Sequence, residues 1–183
     1  MSTTQQRREP RSREGRDDLP IPYLERTRGY YLALGYGNPY QWAHHRDVPF
    51  KPLRRPLAET RLALVTTAAP MRPEAGDQGP RAPYNAAAKF YQVYSLPLDP
   101  APDLRISHLG YDRVHTDASD PDTWLPIARL REAVAAGRLG SLASRLCGVP
   151  TNRSQVTTMD VDAPAALAIV RETGADAALL VPT

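Results

Sequence analysis

Residues 174–183 read Gly-Ala-Asp-Ala-Ala-Leu-Leu-Val-Pro-Thr, an apolar run that directly follows a helical pattern. A continuous apolar run between a Gly and a Pro is typical of a strand buried on both faces, as in a parallel sheet. Ligands of parallel sheets bind just beyond the carboxyl ends of the strands. We therefore expect a reaction centre at the end of this strand, which is where the sequence stops, at Thr183.

Length and composition predict one folded domain behind a disordered tail. The chain has 183 residues, which suits a single domain. Residues 1–18 alternate Arg with acidic and small polar residues and, Met1 apart, contain no large apolar side chain, so we expect them to be disordered. The single domain is then expected over residues 19–183. Because Cys147 is the only cysteine, no intramolecular disulfide can form.

Charge and hydropathy bear on partners and location. The net charge is only +3, and Lys51 and Lys89 are the only lysines among the basic residues. This Arg bias indicates codon usage rather than a basic binding surface, so we expect no nucleic-acid partner. No apolar run approaches the ~20 residues needed to span a bilayer, and the polar N-terminus lacks the apolar region of a signal peptide. We expect no membrane partner and a cytoplasmic protein.

Hydrophobic periodicity predicts an alternation of strands and helices. The strongest strand is predicted at residues 61–67, where apolar residues are followed by β-branched ones. Further strands are predicted at 89–96, as an edge strand, and at 104–109. Helices are predicted from Tyr23 to Leu34, from Ile127 to Val134, and from Asp160 or Asp162 to Gly174. This order predicts an α/β fold, a three-layer sandwich with a mainly parallel sheet whose C-terminal part is incomplete.

Two groups of polar residues are candidates for substrate binding. Thr66 and Thr67 end the predicted strand 61–67. If this strand shares a sheet with the terminal strand, both threonines face the expected crevice and could donate to a substrate carboxylate or an oxyanion; alternatively, they merely end the strand. His108, Tyr111 and Asp112 follow the predicted strand 104–109 and are expected to form a polar rim beside the same crevice.

Other reactive side chains are weaker candidates. The spacings of His108, Asp112, His115 and Asp117 could serve a metal, but none matches a zinc signature. The adjacent His44 and His45 point apart on any regular backbone and are expected to belong to a loop that packs its aromatic residues on the domain. Cys147 is expected to be a small buried residue rather than a nucleophile. We expect neither a metal nor a cofactor.

Four segments in a fixed order resemble the selenoprotein B family of glycine, sarcosine, betaine and D-proline reductases. The resemblance extends over about residues 19–183. The four segments are 103–112 (DLRISHLGYD), 125–131 (LPIARLR), 137–143 (GRLGSLA) and 176–182 (DAALLVP).

The resemblance implies an α/β reductase-like domain and a selenol or thiol nucleophile. In that family, a selenocysteine or cysteine follows directly after the strand that matches Ala177–Val181, within a U/C-x-x-C element that opens a helix. The selenolate attacks the carbon that bears the substrate amine. The present sequence departs from this pattern because it stops at Thr183, and Cys147 occupies neither reactive position. Since UGA encodes selenocysteine and is otherwise a stop signal, we expect a C-terminal continuation, without which the 183-residue form is less stable and inactive.

The resemblance also implies the partners. These are a small-molecule amine or amino-acid substrate and partner reductase subunits or a thioredoxin-like reductant. Two other functions stay open. Racemase-like isomerases also place paired cysteines after strands of an α/β sandwich, and a truncated, non-catalytic subunit could bind a partner through an unfinished sheet.

Overall fold

The computed structural model describes residues 22–37, 44–70, 89–108, 118–151 and 154–183. The chain divides into two compact units, Met1–Asp47 and Val48–Thr183. The predicted domain of residues 19–183 spans both units, and the predicted disordered tail lies outside the described residues.

The first unit contains helix α1, Tyr23–Ala33, close to its predicted bounds. Gly35 ends it in the left-handed conformation, with φ of 83°, and its N–H donates to the Leu32 carbonyl at 3.0 Å. This is the conformation that favours glycine after a helix. Of the residues 23–33 that form the helix, none is buried, so the predicted amphipathic helix lacks a covered apolar face.

The second unit is built on a mainly parallel sheet with strand β1, Arg61–Thr66, in its middle. Ala63 and Leu64 of β1 are almost fully buried. Three strands run parallel to β1, and one runs antiparallel at the far side. The parallel strands are β5 (Ser141–Leu142), β6 (Arg145–Gly148) and β7 (Ala177–Val181), and the antiparallel strand is β3 (Tyr94–Pro97), which pairs with β6.

Strands β5 and β6 lie on the same side of β1 and are separated by a bulge. Leu62 pairs with Leu142 and Val65 pairs with Cys147, so the β5–β6 segment inserts extra residues at this place. The Ala143 amide still donates to the Leu62 carbonyl at 2.8 Å. A bulge of this kind bends a strand and breaks its alternation, which is why the sequence pattern did not predict β6.

Helices cover the sheet. Helix α2, Ile127–Ala135, agrees with the prediction and contributes Ile127 to the main core, together with Leu64, Leu146, Trp124 and Leu125. After β6 come a short helix α3, Gln155–Thr157, a π-helical turn, Thr158–Asp162, and helix α4, Ala163–Glu172, which packs on β6. α2 lies in the connection from β1 to β6, and α4 in the connection from β6 back to β7. Because such connections between parallel strands are almost always right-handed, we expect α2 and α4 on opposite faces of the sheet. The predicted α/β fold with a mainly parallel sheet is confirmed.

The terminal strand differs from the prediction. β7 pairs with β1 over its whole length, from Leu62↔Ala177 to Thr66↔Val181. Among the described residues it has no second neighbour, and Leu180 is 70% exposed. The prediction of burial on both faces is wrong because β7 lies at the edge of the sheet. The strand buried on both faces is β1.

A second, two-stranded sheet begins shortly after β1 in the chain. Strand β2, Ala69–Pro70, pairs antiparallel with β4, Leu104–Arg105. The predicted strand at 104–109 is therefore shorter than expected and belongs to this two-stranded sheet.

Candidate functional site

The carboxyl ends of three parallel strands lie side by side. Thr66, the last residue of β1, pairs with Gly148 of β6 on one side and with Val181 of β7 on the other. The prediction that strand 61–67 and the terminal strand share a sheet is therefore correct. The chain leaves β1 toward β2 and leaves β6 toward α3 and α4, and the carboxyl ends of parallel strands are where open α/β sheets bind their ligands.

Thr67 binds the residue that follows the terminal strand. Its side-chain oxygen accepts a hydrogen bond from the Thr183 amide at 2.8 Å and donates to the Thr183 carbonyl, 3.3 Å away. The two threonine hydroxyls are 3.2 Å apart. Thr67 thus fixes the direction in which the backbone leaves β7.

The buried side chain of Thr66 stabilises the turn that follows β1. Its side chain is 1% exposed, and its hydroxyl oxygen accepts from the Ala68 amide at 3.1 Å. Its carbonyl accepts from the Val149 amide at 2.8 Å, which continues the pairing of β1 with β6. The Thr66 hydroxyl therefore closes the turn after β1, and a substrate role for it stays a prediction.

Tyr94 and Gly148 pack against each other beside the carboxyl end of β1. The Tyr94 hydroxyl donates to the Ala68 carbonyl, and its ring covers Gly148 so closely that a Cβ at Gly148 would lie 1.9 Å from a ring carbon. Phe90 packs edge-on against the same ring, with 5.0 Å between centroids. Burial, and secondarily the neighbouring Cys147, raise the pKa of Tyr94. The sequence analysis did not predict the contact of Tyr94 with Gly148. Its only signal in the sequence was the glycine that follows residues 145–147.

Cys147 precedes Gly148 in β6 and is not available as a nucleophile at neutral pH. The side chain is 1% exposed, and burial raises the pKa of its thiol to about 11. A thiol reacts through its thiolate, so a protonated and covered sulfur is inert. The structure agrees with the expectation of a small buried residue.

The predicted polar rim is described only in part. His108 is exposed and follows β4, and the antiparallel register Ala69↔Arg105 leads the chain after β4 back toward Thr67. Tyr111 and Asp112 lie outside the described residues, as do His115 and Asp117. His44 and His45 are exposed and belong to the first unit.

Comparisons with protein-family models, with curated proteins and with solved structures find no match for this chain. In the part of the chain that the structure describes, no three His, Cys, Asp or Glu side chains are grouped so that they could hold a metal ion. Within the same ranges, no helix has both the length and the apolar character that crossing a bilayer requires.

Proposed function

We propose that this chain is part of a selenoprotein B-like oxidoreductase that reductively cleaves the C–N bond of an amino-acid or betaine-type substrate. The reaction is the one that the resemblance over residues 19–183 implies. One structural observation carries it: Thr67 holds the backbone at Thr183 where β1, β6 and β7 end together. A nucleophile directly after Thr183 would thereby be delivered to the crevice in which parallel sheets bind their ligands.

The proposed reaction needs a soft nucleophile and a dithiol. The selenolate, or a thiolate in its place, forms a bond to the carbon that carries the amine, and the C–N electron pair leaves with the amine, which takes up a proton. A thiolate of the reductant then attacks selenium, and the organic fragment leaves with the Se–C electron pair and is protonated. The second thiol of the reductant releases the selenolate and completes a disulfide, so the substrate gains the two electrons that the dithiol loses.

The helix that the resemblance implies after Thr183 would stabilise an anion at this position. A helix that opens directly after Thr183 would aim its free amide groups at the nucleophile and lower the pKa of the nucleophile. Cys147 does not compete for the role, because it is buried and its thiol has a pKa of about 11.

The codon that follows Thr183 provides the first test. The proposal requires UGA there, with an in-frame continuation that contains a second cysteine and a helical pattern. UAA or UAG at that codon would refute the proposal.

The second test is enzymatic. The extended chain, with cysteine in place of selenocysteine, is expected in the presence of a dithiol to release amine from glycine, sarcosine or betaine, or to open the ring of D-proline to 5-aminopentanoate. The matched controls are the 183-residue chain and the extended chain with serine at the nucleophile position, both of which are expected to be inactive. Racemisation without reduction by the extended chain would favour the isomerase instead.

One observation favours a second candidate, a non-catalytic binding subunit. β7 presents an apolar edge, with Leu180 70% exposed, and exposed apolar strand edges readily pair with other chains. A partner that co-purifies stoichiometrically with the 183-residue chain, together with a gene that has no in-frame extension, would support this candidate over the reductase.

A further inference from the structure

Residues 48–53 form an exposed segment ahead of the sheet of the second unit. They read Val-Pro-Phe-Lys-Pro-Leu, and no helix, strand or turn includes any of these six residues. Every residue from 44 to 59 is exposed, and Phe50 is 90% exposed. The expectation that this loop packs its aromatic residues on the domain is therefore wrong for Phe50.

The prolines of the segment favour the polyproline II conformation. A proline fixes its own φ at about −65° and restricts the residue before it to extended conformations. Pro49 and Pro52 therefore restrain four of the six residues. Polyproline II makes no internal hydrogen bonds and leaves its backbone to water, which agrees with the exposure of the segment and with its lack of strand pairing.

The spacing of the side chains gives the segment two apolar edges. Because polyproline II has three residues per turn, residues three apart share an edge. The three edges hold Pro49 with Pro52, Phe50 with Leu53, and Val48 with Lys51. Val48 is 74% exposed and Leu53 is 49% exposed. The proline edge and the Phe50 edge are adjacent, so together they form an apolar stripe that is open to solvent.

The body of the second unit holds the chain directly after this stripe. The Pro56 carbonyl accepts from the Thr60 hydroxyl at 3.0 Å and from the Glu59 amide at 2.9 Å. The Leu57 carbonyl accepts from the Gly140 amide at 3.0 Å. Pro56 has φ of −56° and ψ of 152°, which are values of polyproline II. The chain is thus fixed after the stripe, while the stripe itself stays exposed.

Positive charge is concentrated around the stripe. Residues 46–55 contain four basic residues and one acidic residue, an excess that equals the net charge of the whole chain, +3. The rest of the sequence is therefore neutral in sum. Arg55 lies 3.8 Å from the Asp176 carboxylate, whereas Lys51 and Arg54 are exposed. The charge favours a partner that is acidic near the stripe.

We propose that residues 48–53 dock into a protein domain whose groove is lined by aromatic side chains and edged by carboxylates, as in SH3 and WW domains. Such grooves bind proline-rich segments in the polyproline II conformation, which costs little entropy because it is preformed. The apolar stripe packs between the aromatic rings, and Lys51 pairs with a carboxylate at the rim. The inference goes beyond the proposed function and requires neither the reductase reaction nor a continuation after Thr183.

A panel of SH3 and WW domains with acidic rims tests the partner. Isothermal titration calorimetry measures the Kd of each domain for the 183-residue chain, and we expect at least one domain to bind. Pro52→Ala should raise that Kd about tenfold or more, because ring packing and the preformed conformation are both lost. Phe50→Ala should have a similar effect. No binding by any domain, or unchanged binding by both variants, would overturn the inference.

Matched controls distinguish the stripe from the rest of the surface. Leu180→Ala truncates a side chain that is 70% exposed on β7 and should leave the Kd unchanged. Lys51→Gln should raise the Kd about two- to fivefold at low salt, as for an exposed ion pair, whereas Arg138→Gln, at an exposed position after α2, should not. All these positions are exposed, so each variant should unfold at the urea concentration of the unchanged protein. Equal losses of binding in the controls would refute the segment as the docking site.

Oligothymidylate tests the other partner that suits a basic segment with an exposed aromatic ring. We expect it to bind the unchanged protein and Pro52→Ala equally weakly. If oligothymidylate binds, Lys51→Gln weakens that binding and no domain of the panel binds, the segment contacts nucleic acid and the inference is wrong.

Discussion

The Thr67 hydroxyl oxygen lies 2.8 Å from the Thr183 amide nitrogen, and 116 residues of sequence separate the two. The contact joins the turn after the central strand to the residue after the edge strand. Its effect is local: it holds Thr183, two residues after the end of β7, against the residue that follows β1.

Replacing Thr67 by Val removes this link while it keeps the shape of the side chain. We expect the free energy of unfolding to fall by about 1 kcal/mol, because the contact is only half-buried and water can replace the lost hydrogen bonds. Amide hydrogen exchange at Thr183 should accelerate more than exchange in the middle of β1. Thr67→Ser, which retains the hydroxyl, should behave like the unchanged protein. If Val and Ser have the same effect, the hydroxyl does not hold the terminal residue.

The contact of Tyr94 with Gly148 predicts a larger effect. A Cβ at position 148 would lie within 2.5 Å of three atoms of the Tyr94 side chain, and the hydroxyl bond to Ala68 restrains the ring. Gly148→Ala is therefore expected to cost about 1–3 kcal/mol, the usual cost of overpacking, as measured by urea denaturation.

A double-mutant cycle with Tyr94→Leu identifies the cause of that cost. Leu has no ring to meet the new methyl group, so the pair of substitutions should destabilise the protein by less than the sum of the two single effects. Additive effects would mean that the strain at Gly148 arises from the backbone and not from Tyr94.

The sequence was sufficient to predict those helices and strands whose hydrophobic pattern matches their surroundings in the fold. β1 was predicted because its apolar and β-branched residues match a buried central strand, and α2 because Ile127 and Leu130 recur at helical spacing and the chain turns at Gly137. β6 was missed, since Arg145 and Gly148 leave it only two apolar residues and a bulge interrupts the pairing that precedes it. The pairing of β6 with β1 and β3, which no local pattern reveals, defines this strand.

The candidate site, like the fold, was predicted only in part. The strand ends at Thr66 and Val181 could be anticipated, because parallel strands end at the same edge of a sheet. The partner of Thr67 could not, as a hydroxyl gives no sign in the sequence of whether it will meet a ligand or another part of the chain. Likewise, apolar content alone does not distinguish an edge strand from a central one, which explains the wrong expectation for Leu180.

This difference between centre and edge leads to a matched pair of substitutions. Leu64 in β1 is fully buried and Leu180 in β7 is 70% exposed. Leu64→Ala should cost about 2–5 kcal/mol, because it removes buried methyl groups and leaves a cavity. Leu180→Ala should change the free energy of unfolding by no more than about 0.5 kcal/mol. Comparable costs in urea denaturation would show that β7 is covered in solution, for example by a second chain.

The buried thiol of Cys147 makes stability depend on alkaline pH. Its pKa is about 11 in the folded protein against an ordinary value of 9.0, so between these values the folded state binds more protons than the unfolded state. Stability is therefore fully present below pH 9, falls as the pH rises toward 11, and then levels off with respect to this group.

Cys147→Ala removes the group at small steric cost. We expect urea denaturation to show a shallower decline for Cys147→Ala than for the unchanged protein in this window, with a residual decline from Tyr94, whose pKa burial also raises. Parallel curves for the two proteins, or rapid alkylation of Cys147 in the folded protein at pH 8, would contradict a covered thiol.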